Sequence, residues 1–460
     1  DPTRADSLFS GFRPIILARE NRYGEKQLAP FNIVSSWYWL SGNPGRPIQR
    51  EALVEALYLA GRPRPELLQA LDDDGDGILS ESELNIETPQ RAEQVRQLLL
   101  SNGLENVRLA SELTPYAINH NVVNGRWATR ECSLCHNENS YLVASFPLSD
   151  RVPGAQLPDL EHATSRYPKS GLNGVLTLGN DGQLSFTPNP SASGFYIIGL
   201  DSIDLVDQLG LLMFFGIALG VTGHALARFY FNRRRASGST AEPEKMPVYM
   251  YDRYERLWHW LQAGTILLLL GTGLIIHKPH IFGIFSFAYM VQIHNVLGFI
   301  LLINAALALF YNLASGEIRQ YLPEPRGFVG RSIAQALYYS RGIFAGESHP
   351  LEKTRERKLN PLQQITYLAI LNILLPAQVI TGVLIWGLQK WPVLATSLGG
   401  LPLLAPLHTL VAWTFAAFIV MHVYLTTAAG DTPAAGIKSM VSGWEEVEQH
   451  SSTHQPAKES

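Results

Sequence analysis

The chain has 460 residues, a formal net charge of −4 and 46% hydrophobic residues. Its near-neutral charge lacks the basic excess of a nucleic-acid-binding protein, so no nucleic-acid partner is expected. The apolar residues are unevenly spread: residues 1–204 are polar and rich in Pro, Gly, Asp and Asn, whereas five long apolar runs with few charges follow, so the chain reads as a soluble half joined to a membrane half.

Taken in chain order, the soluble half is expected to be an α-rich domain. Its first 45 residues carry little signal beyond the aromatic cluster Trp37, Tyr38 and Trp39, read as packing. Residues 72–83 read D-D-D-G-D-G-I-L-S-E-S-E and fit an EF-hand loop position by position. Asp72, Asp74 and Asp76 stand at positions 1, 3 and 5, Gly77 makes the turn at 6, Ile78 offers its carbonyl at 7, Ser80 is at 9 and Glu83 supplies the carboxylate at 12. A gap-free alignment of 71–84 with 100–113 gives a degenerate partner ending at Glu112, with Ser101, Gly103 and Glu105 at the earlier ligand positions. The EF-hand-like unit is therefore drawn as 47–113, with one Ca²⁺ site in a structural role.

The next segment, 114–170, is drawn around Cys132-Ser-Leu-Cys135-His136, the CxxCH pattern of covalent haem attachment, in a chain with only 2 cysteines. The thiols add to the haem vinyl groups and the adjacent His becomes an iron ligand. All 6 methionines lie in the membrane half or its loops, so a His/Met c haem is not expected. His120 is the favoured distal ligand, because Ile118-Asn119-His120-Asn121-Val122 resembles ligand-bearing stretches of multihaem cytochromes; His162 is the alternative. Residues 173–200 contain two short apolar strands flanking Asn180-Asp181-Gly182, a hairpin signal.

The apolar runs cover 206–229, 257–277, 287–311, 364–388 and 404–427, each long enough to span a bilayer as a helix. Basic residues crowd 228–256 and 313–360, while the two short opposite loops carry only Lys278 and Lys390. The positive-inside rule then places those basic segments and the tail 431–460 in the cytoplasm and residues 1–204 in the periplasm of a bacterial inner-membrane, multi-pass protein. Export of the N-terminal half implies a signal peptide removed ahead of Asp1.

His408 and His422 lie fourteen residues apart on the last run. At 100° per residue their side chains fall within about 40° of each other, roughly 21 Å apart along the helix axis. One therefore lies near each side of a hydrocarbon core about 30 Å thick. With five alternating helices, His294 matches the depth of His408, and His259 that of His422. The helix interiors carry no Asp or Glu that a proton path or divalent-metal transporter would use, whereas neutral imidazoles suit haem iron. Two b haems are expected in a mainly α bundle: a four-helix di-haem core over 250–430 and an extra helix at 205–231. His224 on that extra helix has no depth-matched partner and is read as a helix-end histidine.

Over roughly 250–445 the sequence resembles the di-haem cytochrome b subunits of membrane formate dehydrogenases, nickel-iron hydrogenases and thiosulfate reductases. Arg256-Leu-Trp-His259-Trp is similar to the family's first ligand motif, and His294-Asn-Val-Leu-Gly298 to its second. Lys358-Leu-Asn360-Pro-Leu-Gln363 resembles the opening of its third helix, Ile380-Thr-Gly382-Val-Leu-Ile-Trp386 the end of that helix, and His408 with His422 the ligands of its last. The resemblance implies the same two histidine pairs. It also implies a quinone site, for menaquinone or ubiquinone, on the cytoplasmic side beside the His259/His422 haem, with Asn360 at that site and Leu362 where the family has glycine. Asn360 equally suits a helix N-cap ahead of Pro361, and Gly271, Gly273, Gly298 and Gly382 suit close approach of porphyrin or of helices.

These readings converge on an electron-transfer subunit of a respiratory oxidoreductase, passing electrons between membrane quinone and a periplasmic redox subunit through two b haems and one c haem. That partner, a multihaem cytochrome, an iron–sulfur protein or a molybdenum protein, implies a hetero-oligomeric complex. The direction of flow is open. The alternatives are a reductase acting directly at an open-sided c haem and a non-catalytic, Ca²⁺-stabilised membrane anchor.

Overall fold

The computed structural model describes residues 14–20, 26–119, 131–137, 139–160, 164–166, 169–235, 245–347, 349–351, 353–388, 390–428 and 434–448. The chain divides into two compact units, Asp1–Ile197 and Ile198–Ser460.

The first unit is built as much on strands as on helices, which corrects the α-rich expectation. The long strand β2 (Lys26–Ser41) pairs antiparallel with β1 (Ile15–Glu20) on one side and with β3 (Arg108–Ala117) on the other. A second sheet sets β5 (Gly174–Leu178) against β6 (Leu184–Pro188), which in turn pairs with β4 (Phe146–Ser149). The hairpin β5–β6 turns through Asn180-Asp181-Gly182, with Gly182 at φ 82°, a backbone that glycine adopts without a Cβ penalty. Ile15, Leu17, Phe31, Leu113, Phe146 and Phe186 form one apolar core. The second core packs Trp39 of β2 on helices α1 (Arg50–Leu57), α2 (Pro65–Leu71) and α3 (Pro89–Ser101) through Ala56, Leu67, Leu71, Val95 and Leu99.

No second EF-hand forms over 100–113. α3 ends at Ser101, and residues from Arg108 onward pair with β2 as β3, where Glu112 lies opposite Ser36 and accepts a hydrogen bond from the Tyr38 hydroxyl at 3.1 Å. The physical reason is long-range: a strand with Leu109, Leu113 and Pro115 on its pleat satisfies its backbone groups on β2, so local loop chemistry gives way to sheet pairing.

The second unit holds five helices long and apolar enough to cross a membrane among the described residues: α4 (Asp204–Arg235), α5 (Arg253–His277), α6 (Phe287–Ser315), α8 (Pro361–Trp386) and α9 (Gly400–Ala428). α5 packs on α6, and α9 packs on both α4 and α8. Their outward faces carry exposed Leu212, Leu219, Leu267, Ile303 and Phe310, the surface a lipid solvent rewards. An amphipathic helix α7 (Phe328–Leu337) lies between α6 and α8. α10 (Ala435–Ser442) leads into β8 (Trp444–Glu448), which pairs antiparallel with β7 (Lys245–Tyr249), so the segments either side of α5–α10 are stitched together.

Two helix starts are fixed by reciprocal capping. Asp252 and Glu255 form a capping box at α5, and Asn360 and Gln363 form one at α8 with Pro361 in its first turn. Within α8 the turn Ile370–Leu374 widens to π geometry just before Pro376. Proline has no N–H and its ring collides with a preceding carbonyl in a regular helix, and the wider turn relieves that conflict.

Candidate functional site

The four membrane histidines meet in two pairs. His259 of α5 and His422 of α9 have ring centroids 6.3 Å apart, and His294 of α6 and His408 of α9 also stand 6.3 Å apart. Metal–imidazole bonds are about 2.0 Å long, so two rings ligating one metal from opposite sides would have centroids roughly 6.3 Å apart. The spacing in both pairs thus fits an axial bis-imidazole site, and the donor set of two neutral nitrogens suits haem iron.

The pairs differ in their surroundings. His294 Nδ1 lies 2.9 Å from the Thr272 hydroxyl, which donates to the Leu268 carbonyl at 2.8 Å. His408 Nδ1 lies 2.9 Å from the Thr381 hydroxyl, which donates to the Ala377 carbonyl at 2.7 Å. The neighbouring glycines leave room for the rings: a Cβ on Gly273 would sit 3.3 Å from His294 Cε1, and one on Gly382 would sit 3.2 Å from His408 Cε1. The same Thr-Gly pair, 272–273 on α5 and 381–382 on α8, therefore seats both rings of one site. At the other pair, His259 Nδ1 is buried with no hydrogen-bond partner among the described residues, and His422 lies against Phe418 at a centroid distance of 5.4 Å and Tyr367 at 6.4 Å. Sequence reasoning named Gly273 and Gly382 but missed both threonines; the repeated Thr-Gly step was the available signal.

His259 and His422 open into a cavity of about 1430 Å³ that is also lined by His224, Tyr339, Asn360 and Gln363. That exceeds the roughly 300–1,000 Å³ of a single small-molecule pocket. Asn360 both caps α8, accepting from Gln363 N–H at 2.9 Å, and directs its amide toward the Tyr339 hydroxyl at 3.4 Å. His224 uses both ring nitrogens, one with the Tyr424 hydroxyl and the other 2.8 Å from the Tyr339 carbonyl oxygen. It thereby pins α4 to α9 and to the turn after α7. Arg256 donates to the Val441 carbonyl of α10, which gives it a role in positioning that helix.

One wall of the cavity is ionic. Lys358 reaches both Glu255 oxygens at 2.7 and 2.9 Å, and Lys353 reaches Glu445 at 2.7 Å and the Tyr251 hydroxyl at 2.8 Å. Burial opposes the Lys353 ammonium, yet Tyr251 and Glu445 beside it hold its pKa above the ordinary value. Burial, reinforced by Glu255 and Glu317, pushes the Tyr321 phenol up to about 12.

In the first unit, Cys132 and Cys135 share one 3₁₀ turn and are not joined in a disulfide. The Cys135 N–H and His136 N–H both reach the Cys132 carbonyl, at 3.1 and 2.8 Å. Burial, then the neighbouring Cys132, raises the Cys135 thiol pKa. His120 and His162 lie outside the described residues. In the acidic loop the carboxylates of Asp72, Asp74 and Asp76 lie within 4.8 Å of one another. Asp72 accepts from Gly75 N–H at 2.7 Å and Gly77 N–H at 2.9 Å, both glycines having positive φ. Glu83 accepts from the N–H of Asp73 at 2.7 Å and from Ser80 Oγ at 2.7 Å, while the Ile78 side chain points to solvent.

Comparison with known proteins agrees with the membrane geometry. Residues 250–443 match the family described as prokaryotic cytochrome b561, the stretch that β7 and β8 bracket. The Escherichia coli (strain K12) protein named "Putative cytochrome YdhU" is 35% identical over 244 residues, covering 51% of this chain and 85% of that relative. No solved structure matches the chain. Paired histidines in a helix bundle, the family match and this relative together show that the chain belongs to the prokaryotic cytochrome b561 family, as a multi-pass bacterial membrane cytochrome b of transmembrane electron transfer.

Proposed function

We propose that the chain is the electron-transfer subunit of a respiratory oxidoreductase, connecting a periplasmic redox partner with membrane quinone. His259 with His422 would hold one b haem, His294 with His408 a second, and Cys132, Cys135 and His136 a c haem. Each haem, when bound, supplies a one-electron carrier; the protein's task is to hold the rings, exclude water and set the potentials. The carrying observation is the equal 6.3 Å ring separation of the two pairs, each with one member on α9.

The cavity beside His259 and His422 is the quinone site in this reading, with Asn360 and Tyr339 offering polar groups to a quinone carbonyl and the lysine–glutamate wall carrying protons. Its volume of about 1430 Å³ supports accommodation of a second ligand beside a haem. The basic residues of 228–256 and 313–360 support a cavity on the cytoplasmic side and a first unit in the periplasm. Asp72, Asp74, Asp76 and Glu83 hold a structural Ca²⁺ there, with Ser80 and the Ile78 carbonyl completing the loop. The periplasmic partner is a multihaem, iron–sulfur or molybdenum protein within a hetero-oligomeric complex.

A pyridine haemochrome spectrum of the purified chain tests the assignment. It should give b and c haem at two to one, and His259→Ala or His408→Ala should each remove one b haem. A one-to-one ratio would overturn the reading.

A further inference from the structure

The two histidine pairs are not equivalent in the hydrogen bonds behind them. At His294 and His408 each Nδ1 faces a threonine oxygen whose own hydrogen is already committed to a backbone carbonyl, Leu268 or Ala377. A hydroxyl with its proton engaged can only accept from the ring, so both rings carry their proton on Nδ1 and leave Nε2 unprotonated. The Gln378 amide, 2.9 Å from His408 Nε2, agrees with that tautomer, because an amide nitrogen can only donate. At the other pair, His259 Nδ1 is buried without an acceptor among the described residues.

An imidazole that donates from Nδ1 to a fixed acceptor gains anionic character and becomes a more basic ligand. A more basic axial ligand favours ferric over ferrous iron, and hydrogen bonding behind the ligand is one of the protein's levers on potential. We propose that Thr272 and Thr381 are positioning residues that make the His294/His408 site the lower-potential of the two b haem sites. The inference rests on the haem assignment made above. Beside the other site Lys358 is paired with Glu255 and Glu317, and Lys353 with Glu445. If both sites hold haem, that order favours residence of an electron at the His259/His422 site, beside the cavity.

Spectroscopic redox titration of the b haems in the full-length protein tests this. Thr272→Val and Thr381→Val should each raise the lower midpoint and leave the upper one in place. The expected size is on the order of tenfold in the ferric/ferrous equilibrium, or about 59 mV for a one-electron couple. Thr272→Ser and Thr381→Ser, which keep the hydroxyl, should restore the parent value, an outcome that a purely structural role for the methyl-bearing side chain would not give. His422→Ala should abolish the upper component and leave the threonine-sensitive one. Valine variants that shift neither midpoint, or shift the upper one, overturn the inference while the haem assignment stands. Retention of both b haems in His294→Ala and His408→Ala overturns the assignment and the inference together.

Discussion

At the scale of single residues, the chemistry that could be read from the sequence is that which repeats at a helical or motif period. His408 and His422 announce themselves because fourteen residues return a helix to nearly the same face. The acidic loop is legible because its ligands alternate. Glu83 carries a further consequence. Its carboxylate is held by the Ser80 hydroxyl and by the N–H groups of Ser80 and Asp73, which lower its pKa from 4.5 to about 2. A depressed folded-state pKa means stability that is present above pH 4.5 and lost as pH falls toward 2. In calcium-free buffer the unfolding midpoint of the first unit, followed by Trp fluorescence, should fall across that window, and Glu83→Gln should flatten the fall. At neutral pH the same variant should weaken Ca²⁺ binding by on the order of tenfold, because affinity follows ligand charge count; an unchanged calcium titration would remove Glu83 from the site. Thr272 and Thr381 could be found only through the Thr-Gly step they share, since a mid-helix threonine alone reads as packing until its neighbour across the bundle is known.

At the scale of elements, helix caps and membrane spans were readable, and strand pairing in the first unit was not. The five spans follow from apolar runs alone, which bilayer thickness makes decisive. β2 and β3 find each other across 66 residues between Ser41 and Arg108, and no local signal specifies so distant a partner; Pro30 within β2 also argues against a strand until its pairing with Ile16 of β1 is seen. The start of α8 shows one residue serving two ends. Asn360 caps the helix and lines the cavity, so a single substitution confuses the roles. Asn360→Ala should cost about 1 kcal/mol of stability through the lost cap and also impair oxidation of a short-chain quinol analogue. Asn360→Asp keeps the capping oxygen but loses the amide donor, so it should melt like the parent while quinol turnover still falls. Equal turnover in the aspartate variant and the parent would reduce Asn360 to its cap. The glycine seats are tested in the same spirit: Gly273→Ala and Gly382→Ala crowd ring atoms at 3.3 and 3.2 Å, and b haem content should fall at the His294/His408 site before the helices unfold.

At the scale of the whole molecule, composition separates a polar half from an apolar half, which cannot share a solvent. Orientation is the property that decides what electron flow does to the cell, and it can be tested without labelling either face. His408 and His422 are fourteen residues apart on one membrane helix, so their sites are separated by roughly 21 Å along the axis, about two-thirds of a hydrocarbon core about 30 Å thick. An electron moved across the full potential gains or loses about 2.3 kcal/mol per 100 mV; two-thirds of that is about 1.5 kcal/mol, on the order of tenfold in the equilibrium between the two sites. In right-side-out vesicles of the cell's own membrane, an imposed inside-negative potential of about 100 mV should therefore shift reducing equivalents from the His259/His422 site toward the His294/His408 site, seen as a redistribution between the two b components at fixed total reduction. Collapse of the potential should reverse it. If the basic segments faced outward instead, the same potential would drive the redistribution the other way, and transfer from the His294/His408 site to the His259/His422 site would run outward and dissipate the gradient that the positive-inside arrangement allows it to build.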